Sequence, residues 1–327
     1  DPEKDPLEEI EDMLVVIENA GKLAQMIISD SVFNFWIELY QKQDDWAADS
    51  STPHLLAHFG TSLIERALID AFCRQQGRTF ANLLQENAFG IHWDSIRPEL
   101  KGKEPKDLFP APLESITIRH TVGMVDPLTE AEISEDERIH DGLPQSLEKC
   151  IQFYGVNHFK IKVNGHLEQD LERLGAIENL FDRLNLVDFA FTLDGNEQFH
   201  KVSTFREFWN SLQESEPMRT FFEHLVFVEQ PFHRDLALTE PIGDALKSWT
   251  QAPPIIIDES DATLDSAYTA LQLGYRGTSH KNCKGIFKGI INKAMINQLN
   301  LDSGTSRFLM SGEDLANIGP VANHMDL

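Results

Sequence analysis

The chain is poor in positive charge: 28 lysines and arginines stand against 53 acidic residues, a formal net charge of -25 over 327 residues. Phosphate binding needs positive surface, so nucleic acid is excluded as an expected partner. Long hydrophobic runs are also lacking, and none approaches the length needed to cross a bilayer. The opening residues, Asp1-Pro2-Glu3-Lys4-Asp5, are unlike a signal peptide. Cysteine is scarce: Cys73, Cys150 and Cys283 are widely spaced, odd in number and without a metal-type pattern. They read as reduced thiols. These absences together give the expectation of a cytoplasmic protein with no membrane partner.

What is present is ordinary for a globular protein, with 41% hydrophobic and 25% charged residues. The length suits one large domain, or a barrel with a smaller companion. Residues 1–110 read as helical. Apolar spacing predicts helices over 7–28 and 31–43, and the pattern over 62–76 is the clearest. There Ser62 and Glu65 have the spacing of a capping box, Leu63, Ile64, Ala67, Leu68, Ala71 and Phe72 form an apolar stripe expected to pack in the core, and Gly77 supplies a stop.

From about residue 111 the rhythm changes. Strand candidates at 115–121, 159–163, 189–193, 225–228, 255–257, 277–279 and 308–310 alternate with helical stretches such as 167–184, 204–214, 264–273 and 286–298. Strand then helix, repeated, implies a parallel sheet. Periodicity does not separate a barrel from an open sheet. The charged segment 126–142, which holds Pro127 and has no clean period, reads as a long surface loop.

Most of the inner strand candidates run into polar residues. Lys160-Ile161-Lys162 closes one; Asp194, Glu229 and Asp258 follow three apolar runs, and Lys281 follows Gly277-Thr278-Ser279-His280. In parallel α/β folds the carboxyl ends of strands converge on one rim, where active sites lie. Three carboxylates from separate strands suit a hard divalent cation such as magnesium, with manganese as a substitute. A substrate carboxylate bound there would have its enolate charge neutralised as the α-proton leaves. The base would be a lysine, its charged form disfavoured by a neighbouring cation. Period-2 geometry puts Lys160 and Lys162 on one strand face. Taken singly, a Lys-x-Lys is usually a solvated strand face and a strand-end Asp a helix cap or turn residue. The ordered set favours chemistry.

That set resembles the enolase superfamily, in its mandelate racemase/muconate lactonizing branch. The matching residues are Lys160-Ile161-Lys162, Leu193-Asp194-Gly195-Asn196, Val228-Glu229-Gln230-Pro231, Ile257-Asp258-Glu259-Ser260, and Lys281 followed by Gly285; Ala67-Leu68-Ile69-Asp70-Ala71 with Gly77 is similar to the last capping-domain helix. The resemblance implies a modified (β/α)7β TIM-like barrel with an α+β capping domain. It implies Asp194, Glu229 and Asp258 as metal ligands and Lys162 as base on one substrate face. Lys160 would modulate that base or touch the substrate carboxylate, and Lys281 would be the acid/base opposite. The sixth-strand lysine and the Asp-Glu-Ser form of the third ligand point to the muconate-lactonizing type. Asn196, Gln230 and Glu259 fit positions that orient ligands or lysines. Glu313 fits a substrate contact or equally a loop acid preceding a helix over 318–325. His280, beside Lys281, is expected to face away and to be structural.

Against that pattern, the chain opens in helices without the β-rich start of a capping domain, and stops soon after Ser311-Gly312-Glu313-Asp314 without a clear last strand. The expected division is 1–110 for capping helices and 111–327 for the barrel. The expected activity is proton transfer α to a carboxylate on a small substrate: racemisation or epimerisation, cycloisomerisation, or syn elimination. Acid-sugar dehydration and a non-catalytic barrel that binds a ligand are the alternatives. Assembly as a homo-oligomer stays open.

Overall fold

The computed structural model describes residues 5–313; Asp314 and the expected helix at 318–325 lie outside them. The elements, in chain order, are helices α1 (Pro6–Ala24), α2 (Val32–Ser50), α3 (His54–Gln76), α4 (Phe80–Gln85) and α5 (Pro105–Leu108), then β1 (His120–Val122), α6 (Leu147–Tyr154), β2 (His158–Lys162), α7 (Leu167–Arg183), β3 (Ala190–Asp194), α8 (Val202–Glu214), α9 (Glu216–Phe222), β4 (Leu225–Glu229), α10 (Arg234–Ala237), α11 (Glu240–Ser248), β5 (Ile255–Ile257), α12 (Ser266–Leu273), β6 (Gly277–Lys281), α13 (Ile286–Ser303) and β7 (Leu309–Glu313). None of the described helices is long and apolar enough to cross a membrane. The chain divides into two compact units: one of residues 5–114, Asp261–Leu271 and 277–313, the other of Ser115–Ser260 with Gln272–Arg276.

In the second unit β1 to β5 lie side by side in chain order, every pair parallel. Phe159 and Phe191 point to the helices and build an aromatic layer there. Phe181 of α7 lies 4.7 Å from Phe159 and 4.9 Å from Phe189, and Phe221 of α9 stacks on Phe191 at 4.3 Å. Because strand side chains alternate, a Phe anchored toward the helices turns its neighbours Lys160 and Thr192 to the other face. β1 is shorter than the expected 115–121. Only His120, Thr121 and Val122 pair with β2, while Ile116 and Ile118 are 78% and 70% exposed. The segment 126–142 is a loop with two 3₁₀ turns, Glu130–Glu132 and Glu135–Glu137, each begun by a capping box (Thr129 with Glu132, Ser134 with Glu137).

The first unit packs α2, α3 and α4 around Phe33, Trp36 and Phe89 together with Ile286, Phe287 and Ile290 of α13. β6 and β7 pair in parallel within it. Here two expectations are corrected. Helix α3 begins at His54, not Ser62, and Ser62 sits mid-helix with its hydroxyl donating to the Phe59 carbonyl. The expected core stripe is buried only in part: Leu68 and Phe72 pack against the core, but Ala67 and Ala71 are exposed, whereas Thr61, Ser62, Glu65, Arg66 and Ile69 are buried.

The reason is a long-range contact. Both oxygens of Glu65 accept backbone N–H groups of the first turn of α13, from Ile286 at 3.0 Å and Phe287 at 2.7 Å. These donors have no partner inside their own helix, so a carboxylate from another helix caps them. Burial pushes the Glu65 carboxyl up to about 7, although the two N–H groups and Arg66 pull it down. Its folded pKa of about 7 lies above the ordinary 4.5, so its contribution is full below pH 4.5 and is lost as pH rises through about 7. Glu65→Gln is therefore expected to flatten the loss of stability across that window, as read from urea melts at several pH values. Parallel pH slopes for the two proteins would exclude Glu65 as the source.

Candidate active site

β2, β3 and β4 end level with one another. Lys162 pairs in register with Asp194, and Asp194 with Glu229; on β5, Ile256 is level with Glu229 and Asp258 lies just beyond the strand. Adjacent parallel strands thus bring Asp194, Glu229 and Asp258 to one edge, each about 1% exposed or less. Each polar residue emerges at a strand end, and a register shift between Phe191 and Thr192, where β4 takes up one extra residue, sets Asp194 level with Glu229.

The charges are closely interlocked. Lys160 Nζ lies 2.8 Å from Asp194 Oδ2 and 3.1 Å from Glu229 Oε2. Lys162 Nζ donates to the same Asp194 oxygen at 2.5 Å and to Asn196 Oδ1 at 2.8 Å. Burial alone would raise the Asp194 carboxyl, but Lys160 and Lys162 outweigh it and hold that carboxyl below the usual range. Arg119, just before β1, donates to Thr192 Oγ1 at 2.9 Å and lies 3.7 Å from Glu229 Oε2. No motif announced this arginine; its only sequence signal was a cation near the end of the first strand candidate.

The loops after β3 and β4 are held in unusual backbone. Asn196, Glu197 and Gln230 all have positive φ, at 37°, 67° and 34°, a region costly for residues with a side chain. Gly195 is required between them, since a Cβ there would stand 2.8 Å from Pro231 Cα. Asn196 receives Lys162 and donates to Glu259 Oε1 at 3.3 Å. Glu197, which the sequence did not single out, forms a forked pair with Arg234. Burial, with Asp258 and Asp194 nearby, pushes Glu259 up to about 7.

Gln230 is fully used. Its Oε1 accepts the N–H groups of Asp258 at 2.7 Å and Ser260 at 3.3 Å, and its Nε2 donates to the Phe232 carbonyl and Ser260 Oγ, each at 2.7 Å. Truncation by Gln230→Ala strands the buried Asp258 N–H and is expected to cost about 1–3 kcal/mol, visible as a lower urea midpoint. A midpoint equal to the wild type would show that water replaces the amide.

In the first unit, Lys281 and Glu313 are level on β6 and β7, with Nζ 3.2 Å from Oε2. His280 turns to the opposite side, toward α13: a Cβ on Gly289 would stand 2.3 Å from its ring. Burial, helped by Lys284, lowers its pKa to about 4, which agrees with a structural histidine.

The donor set of the second unit fits a hard divalent cation. Three buried carboxylates stand at one edge, with Lys160 and Lys162 against Asp194 and Lys160 and Arg119 against Glu229, and Glu259 Oε2 accepts no hydrogen bond among the described residues.

No family model matches the chain, and no curated protein matches it in sequence. Solved structures do. A mandelate racemase/muconate lactonizing enzyme from Bordetella bronchiseptica RB50 superposes with a TM-score of 0.61 at 15% identity, over 96% of this chain and 78% of that one. Muconate lactonizing enzyme from Pseudomonas putida gives 0.54 at 16% identity, over 92% and 65%. A mandelate racemase/muconate lactonizing protein from Paracoccus denitrificans PD1222, complexed with magnesium, gives 0.56 at 13% identity, over 89% and 64%. The chain therefore spans about two thirds of the length of the Pseudomonas and Paracoccus proteins. Its parallel strands in chain order, its intervening helices and these superpositions together give it the TIM-like (β/α) barrel fold that these solved structures of the mandelate racemase/muconate lactonizing branch have.

Proposed function

We propose that the chain is an enzyme of that branch which removes a proton α to a carboxylate, with magnesium held by Asp194, Glu229 and Asp258. The observation that carries this reading is the row Lys162, Asp194 and Glu229, level on three adjacent strands, with Lys160 reaching both carboxylates. Bound magnesium would supply Lewis-acid stabilisation of the enolate charge on the substrate carboxylate. Lys162 takes the proton at Nζ, where Asp194 Oδ2 and Asn196 Oδ1 receive its N–H groups. The Lys160 ammonium, two residues earlier on the same face, holds Asp194 and Glu229 beside that base.

Lys281 is assigned the acid/base role on the opposite substrate face, and Glu313, which pairs with it, the part of tuning that lysine or touching substrate. Residues 1–110 are assigned to the helical part of the capping domain and 111–327 to the barrel. The substrate is a small carboxylate; racemisation or epimerisation, cycloisomerisation and syn elimination all follow from the same half-reaction. The test is a screen of the full-length protein with magnesium on dipeptide, N-acyl amino acid and acid-sugar libraries, reading α-deuterium uptake from D2O. The proposal fails if the folded protein binds no magnesium in titration calorimetry and Asp194→Asn alters neither binding nor exchange.

A further inference from the structure

Helices α2 and α3 carry a second constellation that the proposed reaction does not use. Asp44 Oδ1 lies 2.6 Å from His54 Nδ1 and 3.0 Å from His58 Nε2. The two histidines stand four residues apart on α3, so they project from one helix face, and Asp44 comes from the neighbouring helix. The three donor atoms all lie within 4.8 Å of one another.

The inner histidine is built in. His58 is 3% exposed and its ring stacks on Tyr40 at 3.7 Å with an 8° interplanar angle. Its other nitrogen, Nδ1, lies 3.3 Å from Thr61 Oγ1. As it stands, Nε2–H of His58 donates to Asp44; with its proton moved to Nδ1 and given to Thr61, His58 would free the Nε2 lone pair for a cation. The Thr61 contact is then the outer contact by which a ligating histidine is oriented. His54 and Asp44 are 38% and 37% exposed, so the cluster opens to solvent on one side. Burial holds His58 in the neutral form, although Asp44 opposes it.

We propose that Asp44, His54 and His58 form a binding site for zinc or a similar imidazole-preferring divalent cation, with its fourth position open to water. Two imidazoles and one carboxylate match zinc rather than magnesium. Donor atoms around a tetrahedral zinc lie about 3.4 Å apart. The present 2.6 and 3.0 Å contacts therefore need to open by less than an ångström, which the half-exposed His54 and Asp44 side chains permit. The bound cation would tie the end of α2 to the start of α3. This site is independent of the proposed reaction.

The test is titration of the metal-free full chain with Co2+ in excess Mg2+, followed by visible absorption, with zinc as competitor. One equivalent should develop the absorption of low-symmetry four-coordinate cobalt and be displaced by zinc. His54→Ala, a half-exposed change whose folding is checked by circular dichroism, should abolish that signal, and Asp194→Asn should keep it. Thr61→Val should weaken binding about 10–100-fold. The proposal is overturned if the wild type gives no such signal, if His54→Ala titrates like the wild type, or if Asp194→Asn removes the signal.

Discussion

Lys162→Ala should slow α-proton exchange about 10²–10⁴-fold, the usual contribution of a positioned general base, while leaving the protein folded. Lys162 is 28% exposed at its side chain and Lys160 stays to balance Asp194, so the truncation strands no buried charge. It removes one contact to Asp194 but leaves all three carboxylates in place, so magnesium affinity should be kept or improved. Loss of rate with retained metal binding is the signature of a base and distinguishes it from a general collapse of the site. Lys281→Ala supplies the complementary measurement. If each lysine serves one face, its removal suppresses exchange from one stereoisomer of a chiral substrate and spares the other. Exchange unchanged in Lys281→Ala at every stereocentre tested would sink the two-lysine mechanism, and an unchanged rate in Lys162→Ala would remove the proposed base.

Much of the strand framework was legible because two local rules agree at each point. Short β-branched or aromatic runs mark the strands, and a polar residue at the end of each marks the rim. Ile255–Ile257 is reproduced as read, and Lys162 and Asp194 are level through an unbroken register, whereas Asp194 is level with Glu229 only through a register shift between Phe191 and Thr192 that no sequence pattern announces. What failed was local pattern where a distant partner decides. Ser62 and Glu65 have capping-box spacing, yet the donors that Glu65 serves lie 221 and 222 residues away. The same contact buries the polar Glu65 on α3, while Ala67 and Ala71 of the apolar stripe stay exposed. Arg119 reaches Thr192 only because β1 lies beside β2 and β2 beside β3. The spacing of His54 and His58 was there to read, but Asp44 joins them through helix packing that no local pattern encodes.

Replacing Lys160 by methionine should destabilise the metal-free protein by about 3–5 kcal/mol, the cost of removing one partner from a buried ion pair. The Lys160 side chain is 4% exposed and lies within 3.1 Å of carboxylate oxygens on both Asp194 and Glu229, themselves 1% and 0% exposed. Methionine fills similar volume but leaves two neighbouring carboxylates facing each other with Lys162 and Arg119 as the remaining cations. The pH dependence follows from Asp194. Its folded pKa lies below the ordinary 3.8, so the lysine contacts stabilise the fold above pH 3.8 and that contribution is lost as pH falls through the depressed value. The gap between wild type and variant should therefore be wide near neutrality and shrink in acid. Magnesium supplies the decisive comparison. A cation bound only by the folded state stabilises it by mass action, and one seated on Asp194, Glu229 and Asp258 would neutralise the charges that Lys160 no longer covers. Urea melts of Lys160→Met should therefore recover most of the lost stability at saturating magnesium, with a larger magnesium-induced shift than the wild type shows. An equal deficit with and without magnesium would mean that these carboxylates do not hold the metal in the folded chain.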